Sequence, residues 1–347
     1  MKNMNIAMLA PIAWRTPPKK YGPWELVTSN LTEGLVEKGV NVTLFATGDS
    51  ITKAKHHHVC KRGYEEDETI NADVWKLLHI SEVFERADDF DIIHNHFDFP
   101  ALTYSKLIKT PVLTTIHGFS SSEIYPVYEK YNDNTFYVSI SDANRYNKLD
   151  YIATIYNGIN LDEFTFNPEM GDYIVFIGRI CHEKGTHEAI QIAKRVKKKL
   201  VIAGIIQEQD YYEDLVKPYI DDNQVQYVGN LGPISRDNLL RNALCTLHPV
   251  MKPEGFGLTI AESMACGTPV IGFDKGSVRE IVKHGKTGYV VNNIDEAVEA
   301  INKLENIKRL DCRNRVEKHF TVETMVEGYV QVYKKIINRE IKFLISE

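Results

Sequence analysis

Two carboxylates flank a glycine-rich segment in the second half of the chain. Glu254 follows a short apolar strand predicted at Leu244–Leu247, and Glu262 lies on a predicted amphipathic helix that leads to a second strand near Val270–Phe273. In such units of a parallel sheet, ligands bind where loops leave the carboxyl ends of strands. The free N–H groups at a helix start suit an anion, and carboxylates suit hydroxyls. This combination indicates a ligand with phosphates and hydroxyls, such as a sugar nucleotide.

Two cations occupy one loop earlier in the chain. Arg179 and Lys184 follow an apolar strand predicted at Tyr173–Ile177. Two cations at the carboxyl end of a strand suit a diphosphate. Fixed positive charge also lowers the barrier to departure of a diphosphate, so that no metal ion is required. The alternative is a pair of solvated loop charges without a ligand.

The elements that would position these residues form a β-loop-α-β pattern that occurs twice. The first occurrence runs from a strand at Asn5–Pro11 into a helix at Trp24–Lys38, and the second runs from Tyr173–Ile177 into a helix at Thr186–Lys198. Right-handed crossovers make each the start of a parallel sheet, which predicts an α/β protein with two Rossmann-like domains. The histidine run at His56–His58 is expected to lie in a polar loop. Further strands are predicted at Val40–Ala46, Ile92–His94, Val112–Ile116, Phe136–Ile140, Ile152–Ile155, Leu200–Ala203, Val225–Val228, Cys245–Leu247 and Val270–Gly272.

Length and composition agree with this organisation. A chain of 347 residues with 43% hydrophobic residues suits two domains, each with a core. The net charge of −6 argues against a general nucleic-acid binder. No apolar run approaches the roughly 18 residues that span a membrane, and no signal peptide is visible. The five cysteines are scattered without a CxxC pair, which argues against disulfides and structural zinc and predicts a cytoplasmic protein.

Two motifs resemble those of retaining glycosyltransferases with the GT-B fold, family 4 (glycosyl transferases group 1). Glu254 and Glu262 match the E-x7-E signature and are followed by the segment Met-Ala-Cys-Gly-Thr-Pro-Val. An alternative for Glu262 is a capping box with Thr259. The residues that match the family pattern G-R-x(4)-K-G are Gly178, Arg179, Lys184 and Gly185.

The resemblance implies two Rossmann-like domains that face each other across a cleft, and a C-terminal helix that crosses back to the first. The domains would be residues 1–163, which bind the acceptor, and residues 164–325, which bind the nucleotide-sugar donor. Residues 326–347 would complete the crossing helix, whose pattern extends from Val322 to Ile341.

The resemblance also implies individual roles in the donor site. Arg179 and Lys184 would hold the diphosphate, Glu262 the ribose hydroxyls and Glu254 the hexose hydroxyls. His117 falls on the family's T-x-H-G/D motif and would lie against the sugar. The catalytic set is then His117, Arg179, Lys184 and Glu254. The donor-binding set is Gly22, Gly178, Arg179, Lys184, Glu254, Gly255, Phe256, Gly257, Leu258 and Glu262.

The first half would supply the acceptor side. Gly22 matches the first glycine of the family's Gly-Gly loop, whereas Pro23 replaces the second and lacks a backbone N–H. Histidines at strand ends are often structural, and a His-x-His pair such as His94 and His96 can also bind a metal. The acceptor-side candidates are Trp24, Glu25, His94, His96 and Ser141.

The predicted function is retaining, metal-independent transfer of a hexose from a nucleotide-diphosphate sugar to an unidentified hydroxyl acceptor. UDP-glucose is the favoured donor and GDP-mannose the alternative. No cofactor is expected, because the nucleotide sugar is a substrate, and neither a metal nor a nucleic acid is expected as a partner. The basic run Lys194–Lys199 leaves peripheral membrane contact open as a secondary role. The alternatives are a sugar-nucleotide 2-epimerase of GT-B fold and a non-catalytic two-lobed sugar-binding protein.

Overall fold

The computed structural model describes residues 4–119 and 121–338. The chain divides into two compact units. Among the described residues, the first unit contains residues 4–119, 121–158 and 322–338, and the second is Ile159–Thr321. The predicted limits at residues 163 and 325 lie near these boundaries, and the acceptor and donor roles of the two domains remain predictions.

The first unit is built on a parallel sheet of seven strands with the order β3-β2-β1-β4-β5-β6-β7. The residues of β4, β5 and β6 are all buried, including the polar residues of each strand, as expected for a parallel sheet that is covered on both faces. The strand order reverses between β1 and β4, so that the loops after these strands diverge at one edge of the sheet. The strands are β1 (Asn5–Leu9), β2 (Asn41–Phe45), β3 (Lys55–His57), β4 (Ile92–Asn95), β5 (Val112–Ile116), β6 (Phe136–Ser139) and β7 (Tyr151–Thr154).

The second unit repeats this topology in a parallel sheet of six strands with the order β10-β9-β8-β11-β12-β13. The order reverses between β8 and β11, and the loops that follow these two strands carry the predicted cations and Glu254. The strands are β8 (Ile174–Ile177), β9 (Leu200–Ala203), β10 (Val225–Tyr227), β11 (Cys245–His248), β12 (Val270–Phe273) and β13 (Gly288–Val291).

Helices connect the strands of both sheets. They are α1 (Pro23–Glu37), α2 (Ala72–Glu85), α3 (Tyr125–Tyr131), α4 (Thr186–Arg195), α5 (Gln209–Leu215), α6 (Pro233–Arg241), α7 (Leu258–Ala265), α8 (Val278–Ile281), α9 (Ile294–Ile301), α10 (Arg309–His319) and α11 (Val322–Ile337). Within the described ranges, none of these helices is long and apolar enough to cross a membrane.

The C-terminal helix α11 belongs to the first unit, where it packs against α1. Its buried residues recur at helical spacing and include Met325, Tyr329 and Tyr333. The helix ends at Ile337 and Asn338 lies in a turn, so the prediction that the helix includes residue 338 is wrong, whereas the predicted helical residues 339–341 lie outside the described residues. Both units therefore contain the Rossmann-like α/β architecture that the repeated pattern predicts.

The sequence pattern does not predict two of the observed strands, β3 and β13. β3 is a polar edge strand beside β2, so the prediction that His56 and His57 lie in a loop is wrong. An edge strand without buried alternation gives no apolar signal. β13 is short and begins at Gly288, which also weakens its pattern. The five cysteines are free and buried.

Candidate functional site

The loop after β8 carries the two predicted cations and ends in a glycine at the start of α4. Gly185 has a φ of 72°, and a Cβ at this position would lie 2.0 Å from the carbonyl oxygen of Pro249. Only glycine allows this approach, because any side chain would clash with backbone. The contact brings the β8 loop against the loop that follows β11, so residues from both loops meet at the carboxyl edge of the sheet.

Lys184 and Glu254 form an ion pair at this meeting point. Lys184 Nζ lies 2.5 Å from Glu254 Oε2, and His248 Nε2 lies 3.1 Å from the same oxygen. The side chain of Glu254 is 14% exposed and that of Lys184 is 21% exposed, so the pair is largely shielded from water. No residue of the described chain hydrogen bonds to Glu254 Oε1 in this arrangement. One carboxylate oxygen is thus fixed and the other is available to a ligand.

The environment keeps Glu254 ionised. Burial alone would raise the pKa of this carboxyl, but the charge of Lys184 and the hydrogen bond from His248 together hold the pKa well below its ordinary value. A carboxylate in this state can only accept hydrogen bonds, which suits the hydroxyls of a sugar.

Arg179 lies on the same loop and has weaker partners. Its Nη1 donates to Gln207 Oε1 at 2.5 Å, and its Nη2 lies 3.6 Å from Glu183 Oε2. The side chain is 27% exposed. A neutral amide and a distant carboxylate can be exchanged for the stronger charge-assisted bonds that a phosphate offers.

The start of α7 lies in the loop that bears Glu254. Gly257 is the N-cap and makes no side-chain cap bond, and within the described ranges no hydrogen bond is made by the backbone N–H of Leu258 or Thr259. Gly255 immediately follows Glu254. The side chain of Phe256 is buried and packs edge-on against Phe320. Of the predicted donor-binding residues here, Phe256 therefore has only its backbone to offer.

Glu262 lies inside α7 and is almost completely buried. Its Oε1 is 3.3 Å from Arg236 Nη2, and the side chain is 4% exposed. Burial raises the pKa of this carboxyl, and the charge of Arg236 opposes the rise. The capping-box alternative is wrong, because Gly257 and not Thr259 caps the helix.

Sequence reasoning missed two members of this site. His248 ends β11, and its position at a strand end was a usable signal. Arg236 lies on α6, and nothing in its local pattern indicates a partner on α7. Gly178 follows β8, and its N–H donates to the carbonyl of Ala203; its role in donor binding stays a prediction.

The predicted histidines of the first unit form a buried cluster. His117 Nε2 lies 2.8 Å from His96 Nδ1, and the His117 ring stacks on Trp24 with centroids 5.3 Å apart. Both ring nitrogens of His94 are already bonded, Nδ1 to the hydroxyl of Tyr333 at 2.7 Å and Nε2 to a threonine hydroxyl of β5 at 2.8 Å. Among the described residues, no three histidine, cysteine or acidic groups are arranged to hold a metal ion.

The remaining candidates lie at the start of α1 and just after β6. Gly22 is the N-cap of α1, and Pro23 occupies the first helical position, where a missing N–H is harmless. Glu25 is 2% exposed, and its Oε1 accepts the N–H of Trp14 at 3.3 Å. Burial raises the pKa of Glu25 to about 7. Ser141 is buried after β6, where its hydroxyl accepts a backbone N–H of the following turn.

Comparison with known families agrees with this arrangement. Residues 25–163 match the model of Glycosyltransferase Family 4, and residues 160–319 match that of Glycosyl transferases group 1. An uncharacterized glycosyltransferase, MJ1607 of Methanocaldococcus jannaschii, is 26% identical over 337 residues, which covers 82% of this chain and 84% of that protein.

Two solved structures share the fold. A sucrose-phosphate synthase from Thermosynechococcus elongatus has a TM-score of 0.80 at 19% identity and covers 97% of this chain and all 100% of its own. Anabaena Alr3699/HepE, solved in complex with UDP-glucose, has a TM-score of 0.74 at 18% identity and covers 96% and 100% of the two chains. With both halves matched in order by family models, this chain belongs to the group 1 glycosyltransferases of the family 4 type.

Proposed function

We propose that this protein is a retaining hexosyltransferase that uses a nucleotide-diphosphate sugar and needs no metal ion. The observation that carries the proposal is the contact between Lys184 and Glu254 at the carboxyl edge of the second sheet. This contact places a cation that can bind phosphate next to a carboxylate that can bind sugar hydroxyls, and both lie beside the start of a helix. UDP-glucose is the favoured donor, which the complex of the Anabaena relative supports, and GDP-mannose is the alternative. The proposed compartment is the cytoplasm.

The donor would be held mainly by residues of the second unit. Arg179 and Lys184 would bind the diphosphate, together with the N–H groups of Leu258 and Thr259. Glu254 Oε1 would accept a hydroxyl of the hexose, since Oε2 is already held by two protein groups. Glu262 would accept the ribose hydroxyls while Arg236 balances its charge.

The chemistry would follow from charge stabilisation. The bond between the anomeric carbon and the phosphate oxygen breaks, and the acceptor oxygen bonds to that carbon from the same face. The phosphate oxygen takes the proton of the acceptor hydroxyl, so no protein base is needed. Arg179 and Lys184 stabilise the charge that develops on the diphosphate, and His117 lies against the sugar.

The test is product analysis with UDP-glucose and GDP-mannose, each with a panel of sugar, glycan and lipid-linked acceptors in buffer that contains EDTA. An α-linked product from the α-linked donor supports the proposal, whereas a β-linked product overturns retention. Conversion of the donor to its C2 epimer in the absence of acceptor would indicate the 2-epimerase. Donor binding without any product would indicate the non-catalytic sugar-binding protein.

A further inference from the structure

The two ring nitrogens of His96 have different surroundings. His96 directly follows β4 and is completely buried. Its Nδ1 shares a hydrogen bond of 2.8 Å with His117 Nε2. Its Nε2 is buried as well, but no described residue offers it a hydrogen-bond partner.

The neighbouring histidine cannot supply that partner. The ring of His94 lies 4.2 Å from that of His96, but both nitrogens of His94 are bonded to the hydroxyls of Tyr333 and Thr115. Thr115 Oγ1 is bonded in turn to the hydroxyl of Tyr329 on α11 at 2.7 Å. The ring nitrogens of His94 are thus bonded to residues of β5 and α11. Among the described residues, His117 is the hydrogen-bond partner of the His96 ring.

Burial also fixes the number of protons on these rings. It lowers the pKa of His117 to about 3, and it lowers the pKa values of His94 and His96 well below the ordinary value. Each ring is therefore neutral near pH 7 and carries one proton, so that one nitrogen donates and the other accepts.

Only two proton arrangements fit the bond between His96 and His117. If His117 Nε2 donates, the proton of His96 must sit on Nε2, where it is a buried N–H without an acceptor. If His96 Nδ1 donates, its Nε2 carries only a lone pair. Buried N–H groups without an acceptor are rarer in folded proteins than acceptors that lack a donor, so the second arrangement is favoured.

We propose that His96 is a positioning residue that holds His117 in the tautomer with its proton on Nδ1. His117 then presents an N–H donor, rather than an acceptor, to an oxygen of the transferred sugar. Stacking on Trp24 fixes the plane of the ring, while His96 fixes which nitrogen carries the proton. This inference rests on the proposed function for its consequence in catalysis, but the tautomer can be measured without any substrate.

The direct test is ¹⁵N NMR of the full chain, with the ring signals of His117 assigned from a His117→Gln sample. A proton on Nδ1 is the expected result, and a proton on Nε2 overturns the proposal. His96→Asn keeps an amide donor near the position of Nδ1 and should preserve the tautomer, whereas folded His96→Phe should lose it. An unchanged His117 tautomer in folded His96→Phe also overturns the proposal. If His96→Phe does not fold, the wild-type and His96→Asn spectra still show which nitrogen of His117 carries the proton.

Turnover gives a second readout. His96→Phe should lower kcat about tenfold, the effect of one neutral hydrogen bond, and His96→Asn should restore it to within about threefold of wild type. A matched control is His79→Phe, which removes another fully buried histidine of the first unit and should leave kcat near wild type. Equal loss in the Phe and Asn variants of His96 would contradict a positioning role. Absence of transfer by the wild type would instead refute the proposed function and leave the tautomer measurement intact.

Discussion

Lys184 Nζ lies 2.5 Å from Glu254 Oε2, although the two residues belong to different loops of the second sheet. The short separation joins the two motifs on which the family resemblance depends. It also means that a cation predicted to bind the diphosphate and a carboxylate predicted to bind the hexose form an ion pair with each other. Phosphate binding would therefore give Lys184 a second anionic partner next to Glu254.

Removal of the Lys184 charge should affect catalysis more than folding. We expect Lys184→Gln to lower kcat by about a hundredfold, because one fixed group that stabilises developing charge contributes at about this level. Steady-state kinetics with the identified donor, together with thermal unfolding, would measure both effects. Lys217→Gln is the matched control, because Lys217 forms an ion pair of 2.6 Å with Glu213 on the surface of the same unit. Similar kinetics for the two variants would remove Lys184 from the donor site.

Glu25 should make the stability of the protein depend on pH. Its pKa is raised by burial from 4.5 to about 7, so the folded state binds a proton more tightly than the unfolded state. The contribution of Glu25 to the free energy of unfolding is fully present below about pH 4.5. It is lost as the pH rises through 7, and the total loss is up to about 3 kcal/mol. Glu25→Gln should therefore unfold at a higher temperature than wild type at pH 8 and at nearly the same temperature at pH 4.5.

The control for this effect is the exposed glutamate Glu85 on α2. In Glu85→Gln, the difference between the melting temperatures at pH 8 and pH 4.5 should be the same as in wild type. A Glu25→Gln variant whose melting temperature follows that of wild type at every pH would refute the assignment.

The bond between His94 and Tyr333 should stabilise α11 on the first unit. Tyr333→Phe leaves His94 Nδ1 buried without its hydroxyl partner, which should cost about 1–3 kcal/mol in the free energy of unfolding. Urea denaturation would measure the loss. Tyr125→Phe is a suitable control, since no described residue hydrogen bonds to the Tyr125 hydroxyl. Equal stability of the two variants would mean that the buried hydroxyl contributes nothing.

Gly185 should be required for the close contact between the loop after β8 and the loop after β11. Gly185→Ala adds a clash with the Pro249 carbonyl to the strain of a left-handed backbone, and we expect about 3 kcal/mol of destabilisation. Gly229→Ala carries similar strain at a φ of 75°, but an added Cβ there has no heavy atom within 4 Å. It should cost only about 1–2 kcal/mol. If denaturant unfolding gives equal losses, the close contact with Pro249 is not what selects glycine.

Most of the fold follows from buried apolar runs. The strand at Val112–Ile116 is predicted at its observed limits, because all five of its residues are buried between helices. The polar edge strand Lys55–His57 has no such pattern, and its hydrogen bonds to β2 depend on the rest of the sheet. Sequence periodicity reports burial, so it misses strands that the sheet recruits by backbone hydrogen bonding alone.

The site is predictable only as far as its chemistry is local. Arg179 and Lys184 share one loop, and Glu254 precedes a helix start, so their types and spacing indicate their roles. The partners of these residues come from distant segments. His248 and Arg236 meet Glu254 and Glu262 only when β11, α6 and α7 are packed together.

The central claim is that a nucleotide sugar binds to the cations of the β8 loop. The most direct measurement is the melting temperature of wild type and of an Arg179→Gln/Lys184→Gln variant with UDP-, GDP- and ADP-hexoses. Wild type should be stabilised by its preferred donor by about 2.7 kcal/mol at one hundred times the dissociation constant, and the variant should show little of this effect. The same increase in both proteins, or no increase in wild type with any of these donors, would contradict the claim.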